Sequence, residues 1–128
     1  MPDLRCYFVT GAADSPAEVV RIAAAAARGG AGVVQVRSKP ITARDLYLLG
    51  KEVARAVAAA NPQTQVLIDD RVDVALALRH DGEPVHGVHI GQDDLPVAQA
   101  RAVLGPEAII GLTTGTRELV ENANQVAD

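Results

Sequence analysis

The stretch Val33-Val34-Gln35-Val36-Arg37-Ser38-Lys39 decides how this chain is read. Its valines suit a buried strand, yet polar groups recur at every second position. Side chains in a strand alternate between faces, so Gln35 and Arg37 share one face. Pro40 favours extended backbone at Lys39, which carries that side chain the same way. A guanidinium and an ammonium placed together suit a phosphate or pyrophosphate. The alternative is a strand end emerging into water with both cations simply hydrated. Gln35, held between Val34 and Val36 in an otherwise apolar run, favours a site.

Outward from this stretch, short apolar runs alternate with helical patterns. Cys6 to Thr10 reads as a strand. Ser15-Pro16-Ala17-Glu18 starts a helix with a cap, a first-turn proline and a capping-box glutamate. That Ala-rich helix runs to Arg28, and Gly29-Gly30 stops it. Thr42 caps a second helix, with Asp45 in its first turn, which Asn61-Pro62 ends near Ala60. Val66 to Asp69 is a third strand. A short helix over 71–79 follows, with Val72, Ala75, Leu76 and Leu78 mostly on one side. Strands over 88–90 and 109–112 and helices over 96–104 and 116–126 complete five β/α units.

This alternation predicts an α/β fold with a parallel sheet, in one domain over residues 1–128. The near-continuously apolar strands predict a sheet covered on both sides. Two architectures remain: an open doubly wound sheet, or part of a (β/α)8 barrel. Neither G-x-G-x-x-G nor G-x-x-x-x-G-K-[ST] occurs, so the common nucleotide-binding open sheets lose support.

Composition narrows the function further. The chain is 48% hydrophobic and 22% charged, with a net charge of −4 at pH 7, as expected of a soluble globular protein. The net charge argues against a nucleic-acid backbone binder, and Tyr7, Phe8 and Tyr47, the only aromatics, offer no stacking platform. Cys6, the sole cysteine, can form no internal disulfide and is expected in the core. No apolar run approaches the roughly 20 residues of a membrane helix, and no signal-peptide pattern opens the sequence, so a cytoplasmic location is expected.

The remaining polar residues gather where strands end. Asp69 and Asp70 follow the third strand, Gly91-Gln92-Asp93-Asp94 the fourth, and Thr113-Thr114 the fifth. In a β/α barrel all of these converge on the rim that holds the active site. Carboxylates from neighbouring strand ends can share a hard cation, and Mg²⁺ takes one or two of them beside phosphate oxygens. Helix capping is the competing role for at least one residue of each Asp pair. His86 and His89, three apart, point to opposite faces and make a poor metal pair. No side chain stands out as an acid or base catalyst.

Together, "VVQVRSK", "LIDDRVDVALAL", "GVHIGQDDLP" and "IIGLTTG" resemble the thiamine phosphate synthase family across nearly the whole chain. The resemblance implies a (β/α)8 barrel, here represented by about its first five units. It implies a Mg²⁺-dependent transferase that joins hydroxymethylpyrimidine diphosphate to a thiazole phosphate carboxylate. The products are thiamine phosphate, CO2 and pyrophosphate, by a dissociative route. By the same resemblance, Gln35 lies on the pyrimidine side. Arg37 and Lys39 bind pyrophosphate, and Asp70 and Asp94 bind the metal. Asp69 takes the place of a usual Asn that contacts pyrophosphate, and Thr113 the place of a usual Ser. Gly115 stands where His is common, which weakens a further alternative, a thiazole tautomerase-like relative. A non-catalytic pyrophosphate-binding remnant is the alternative, because the later units of the barrel complete the thiazole phosphate site. Open sheet edges also predict self-association, with a homo-oligomer the simplest form.

Overall fold

The computed structural model describes residues 6–11, 15–38, 41–91 and 94–112. In chain order these form β1 (Tyr7–Val9), α1 (Pro16–Arg28), β2 (Val33–Val36), α2 (Ala43–Ala60) and β3 (Gln65–Asp69), then α3 (Val72–His80), β4 (Gly87–Ile90), α4 (Val97–Leu104) and β5 (Ile109–Leu112). The helix expected over 116–126 lies outside the described residues, as do Lys39, Gln92, Asp93, Thr113, Thr114 and Gly115.

Local signals set the helix starts. Ser15 Oγ accepts the Glu18 backbone N–H at 3.2 Å, and Thr42 Oγ1 accepts that of Asp45 at 3.1 Å. The expected carboxylate caps of α3 and α4 are not used. Arg71 and Pro96 stand at those N-cap positions, with no side-chain cap bond. The carboxylates are engaged elsewhere: Asp69 with Gln35, and Asp94 with the Gly91 backbone.

Strand order chooses between the two architectures. The sheet is wholly parallel and runs β1-β2-β3-β4-β5 in sequence order. A doubly wound sheet reverses its order at a switch point; this one does not. Right-handed crossovers in one direction put every connecting helix on the same face. Val34, Val36, Val66, Ile68, Val88, Ile90 and Ile110 form that face and share one core with the buried side chains of all four helices. The arrangement is that of a β/α barrel, with helices outside and the other strand face within. Helices cover one face of the sheet, and on the other Val33, Gln35, Leu67 and Asp69 are buried as well.

Two further expectations change. Cys6 is exposed. It precedes β1, an outer strand whose residues alternate between exposed and half-buried, so an apolar neighbourhood in sequence gives it no cover. Leu76 is also exposed, whereas Val74 joins Val72, Ala75 and Leu78 against the core.

Candidate functional site

The face of the sheet away from the helices carries different residues. Register pairs Val9 with Gln35, Gln35 with Leu67, and Asp69 with His89. Residues at these positions share a face by alternation. Gln35, Asp69 and His89 therefore lie together near the carboxyl ends of β2, β3 and β4.

Side-chain contacts tie the group together. Gln35 Nε2 donates to Asp69 Oδ1 at 2.7 Å, and Arg37 Nε stands 3.6 Å from Asp69 Oδ2. Gln35 and Arg37 thus meet the same carboxylate, as their spacing requires. Both Gln35 and Asp69 are buried, whereas the Arg37 side chain is 54% exposed and can reach a ligand.

Thr10, unremarked in the sequence, fixes where Arg37 begins. Its buried hydroxyl accepts the Arg37 backbone N–H and donates to the Arg37 carbonyl, both at 2.8 Å. The only sequence signal was a hydroxyl residue at the end of an apolar run. Tyr7 is a second addition. Its hydroxyl donates to Gln35 Oε1 across 3.4 Å. Burial first, and the Asp69 charge second, push its phenol up to about 12.

Asp70 adopts φ of 66°, the left-handed region that short polar residues tolerate best. Its backbone N–H donates to the His89 carbonyl at 2.7 Å, so β3 stays stitched to β4 through the bend. Asp94 follows β4 closely, and its Oδ2 accepts the Gly91 N–H at 2.6 Å, which closes the turn. Asp70 and Asp94 therefore leave adjacent strands at the same end of the sheet.

The two histidines occupy different places. His86 Nδ1 accepts the Val66 backbone N–H at 2.9 Å, a structural bond. His89 lies against Gly111, where an added Cβ would come within 2.7 Å of its Nδ1. Burial holds its imidazole below the usual range, against an upward pull from Asp69 and Asp94. His89 is thus a neighbour of the carboxylates, a proximity set by strand register and not by a local sequence signal.

Hard oxygen donors on adjacent strand ends suit a divalent cation that keeps water or phosphate ligands. Asp70 and Asp94 supply such donors; among the described residues no group of three or more His, Cys, Asp or Glu side chains could hold a metal by itself. Asp69, Asp70 and Asp94 also make this end of the sheet acidic, and Arg37 supplies a cation there. An anionic ligand is therefore better accepted together with a cation.

Comparison with known proteins bears on the family and the fold. The family profile described as thiamine monophosphate synthase matches residues 6–128. Thiamine-phosphate synthase of Corynebacterium efficiens is 65% identical over 99% of this chain and 57% of its own length. The Corynebacterium jeikeium protein of that name is 66% identical over 98% of this chain and 56% of its own. The chain thus spans about half the length of the curated relatives it matches. Among solved structures, thiamine phosphate pyrophosphorylase from Pyrococcus furiosus superposes with a TM-score of 0.77 at 29% identity, over 95% of this chain and 55% of that one. A Ruminococcus gnavus sialic acid aldolase mutant, at TM-score 0.53 and 18% identity, covers 77% of this chain and 35% of its own, and shares the fold alone. The match over residues 6–128 and the agreement in fold make this chain a member of the thiamine monophosphate synthase family.

Proposed function

We propose that this chain contributes the pyrimidine-diphosphate half of a thiamine phosphate synthase. In that reaction hydroxymethylpyrimidine diphosphate loses pyrophosphate, and the nitrogen of a thiazole phosphate carboxylate takes the methylene carbon. The electron pair of the breaking C–O bond leaves with the pyrophosphate oxygen; the thiazole carboxylate departs as CO2, and the ring carbon that keeps its electron pair takes up a proton from solvent. The observation that carries the reading is the convergence of Gln35, Arg37 and Asp69 beside the strand ends that bear Asp70 and Asp94.

Arg37, exposed and anchored through its backbone by Thr10, binds the diphosphate and stabilises its developing charge on departure. Gln35 is buried and orients its neighbours rather than reaching into water. Asp70 and Asp94 would hold Mg²⁺, which supplies neutralisation of the leaving group's charge. Asp69, where an amide is usual, repels a bare pyrophosphate and leans on Arg37 to offset its charge. Lys39 and Thr113 complete the proposed diphosphate contacts from outside the described residues.

Thiamine phosphate formation from the two substrates, with and without Mg²⁺, tests this reading. Arg37→Ala is expected to weaken pyrimidine-diphosphate binding about 10- to 100-fold, the equivalent of one charge-assisted contact. Its fold should be unchanged, because the side chain is largely in water. Unchanged binding in the variant would remove Arg37 from the site. One second reading is a non-catalytic module that binds the pyrophosphate group of the pyrimidine diphosphate. Binding without turnover would select it.

A further inference from the structure

Resting on the reading of Asp70 as a cation ligand, we propose that Asp69-Asp70-Arg71 forms a strained turn that positions this ligand. The turn lifts the Asp70 carboxylate off the helix-facing side of the sheet and presents it beside Asp94.

Two observations define the turn. Asp70 has φ of 66°. The Arg71 backbone N–H donates to the Asp69 carbonyl at 2.7 Å, so the hydrogen bond spans a single residue. Positive φ at the centre of such a bond is the γ-turn of the rarer hand, which is strained for an L-residue. The other residues with positive φ among those described are Gly30, Gly82 and Gly105. There the reversal carries no side chain. Asp70 alone among the described residues makes it with one.

Strand alternation shows what the turn prevents. Val66 and Ile68 point to the helices and are buried. Two residues on, Asp70 would follow them. Asp69 pairs with His89 in the β3–β4 register, so an unbroken strand would set Asp70 beside Ile90, which is wholly buried. An ionised carboxylate in that apolar layer costs far more than one strained residue. The ladder persists as far as the Asp70 N–H, which donates to the His89 carbonyl at 2.7 Å. The departure begins at its φ, and Asp70 is half-buried where Ile68 and Ile90 are fully enclosed.

Main-chain geometry also holds the neighbouring carboxylate, since Asp94 Oδ2 accepts the Gly91 N–H at 2.6 Å. Ligands fixed in this way favour binding, because less freedom is lost when the cation is taken up. The Arg71 side chain is engaged with Asp73, at 2.7 and 3.0 Å, so its part in the turn is its backbone N–H.

Urea denaturation and Mn²⁺ uptake by the full chain, with inorganic pyrophosphate present, test the inference. Mn²⁺ shares the oxygen ligands of Mg²⁺ and is followed by its paramagnetic resonance. Asp70→Gly and Asp70→Ala both remove the carboxylate, so their difference isolates the backbone. Gly is expected to exceed Ala by about 5- to 30-fold in the folding equilibrium constant. In an extended strand the order reverses. Both variants should lose Mn²⁺ affinity by about 10-fold or more. Arg71→Pro keeps both carboxylates but removes the N–H that closes the turn, and proline drives its predecessor toward extended backbone. It should weaken Mn²⁺ binding about 10-fold or more, whereas Arg71→Ala, which keeps the N–H, should stay within about twofold of wild type. Ala at or above Gly in stability, with Mn²⁺ affinity lost in both, would overturn the strained turn and leave the cation reading standing. Undiminished uptake by a folded Arg71→Pro would do the same, and if that variant does not fold the order of Gly and Ala decides. Undiminished uptake by Asp70→Gly, or no uptake by wild type, would overturn the cation reading of Asp70 and the inference with it.

Discussion

On the helix-facing side of the sheet, Val34, Val36, Ile68, Val88 and Ile90 are wholly buried against helices. On the other side the same strands carry Gln35, Asp69 and His89, often one residue away. The two faces differ in what they can afford. The first is a close-packed set of branched aliphatic side chains, where burial stabilises each residue by about 1.5–3 kcal/mol. The second holds polar groups that are tolerable because they bond one another. Period-two alternation lets one strand serve both purposes, with stability on one face and chemistry on the next.

Glycine breaks the simplicity of this contrast, and Gly87→Ala is the sharpest way to expose it. Gly87 shares the His89 face by alternation, yet a Cβ there would lie 1.7 Å from the Ile109 carbonyl oxygen. Backbone, unlike a flexible side-chain tip, cannot step aside without unpairing β4 from β5. The substitution is expected to destabilise the protein by about 4 kcal/mol or more, in the exceptional range for one residue. Urea denaturation measures it. A loss below about 1 kcal/mol would mean that the strands can separate there at little penalty.

The sequence revealed the fold more fully than the site because the two depend on different information. Every described helix was legible within about two residues. Caps such as Ser15 and Thr42 and stops such as Gly29 act over a few neighbours. The alternation of Gln35 and Arg37 placed both on one face, and the structure joins both to Asp69. Tyr7, Thr10 and His89 were not legible as site neighbours. Their partners lie at least 20 residues away and are fixed by strand register: Tyr7 with Gln35, Thr10 with Arg37, His89 with Asp69. Asp69 is drawn away from capping by a distant amide, that of Gln35, whereas Asp94 is held by the nearby Gly91 N–H.

Thr10→Val asks how far the backbone supports the site. The substitution keeps shape but removes both hydrogen bonds to Arg37. Leaving part-buried backbone groups unmet is expected to cost about 1–3 kcal/mol of stability. Diphosphate binding should fall as well, since Arg37 loses its anchor. Thr10→Ser keeps the hydroxyl and should restore binding. If Thr10→Val lowers stability but leaves affinity intact, the hydroxyl supports the sheet and not the site.

The smallest effect expected separates the histidines of the two regions by pH. Burial first, and then the Arg79 guanidinium, hold the His86 imidazole below the usual histidine range. Its Nδ1 accepts the Val66 N–H only while neutral. The unfolded chain takes up that proton near pH 6.5, but the folded chain resists it. Below that pH the unfolded state binds more protons, so this contribution is intact above about pH 6.5 and is lost as pH falls through the lower folded value. His86→Asn puts an amide oxygen near the Nδ1 position and cannot titrate. Its urea midpoint should lie close to wild type at pH 7.5 and decline less steeply between pH 7 and 5. Equal declines would assign the acid sensitivity to the other face, where His89 is also held below its usual range and sits among the carboxylates of the site.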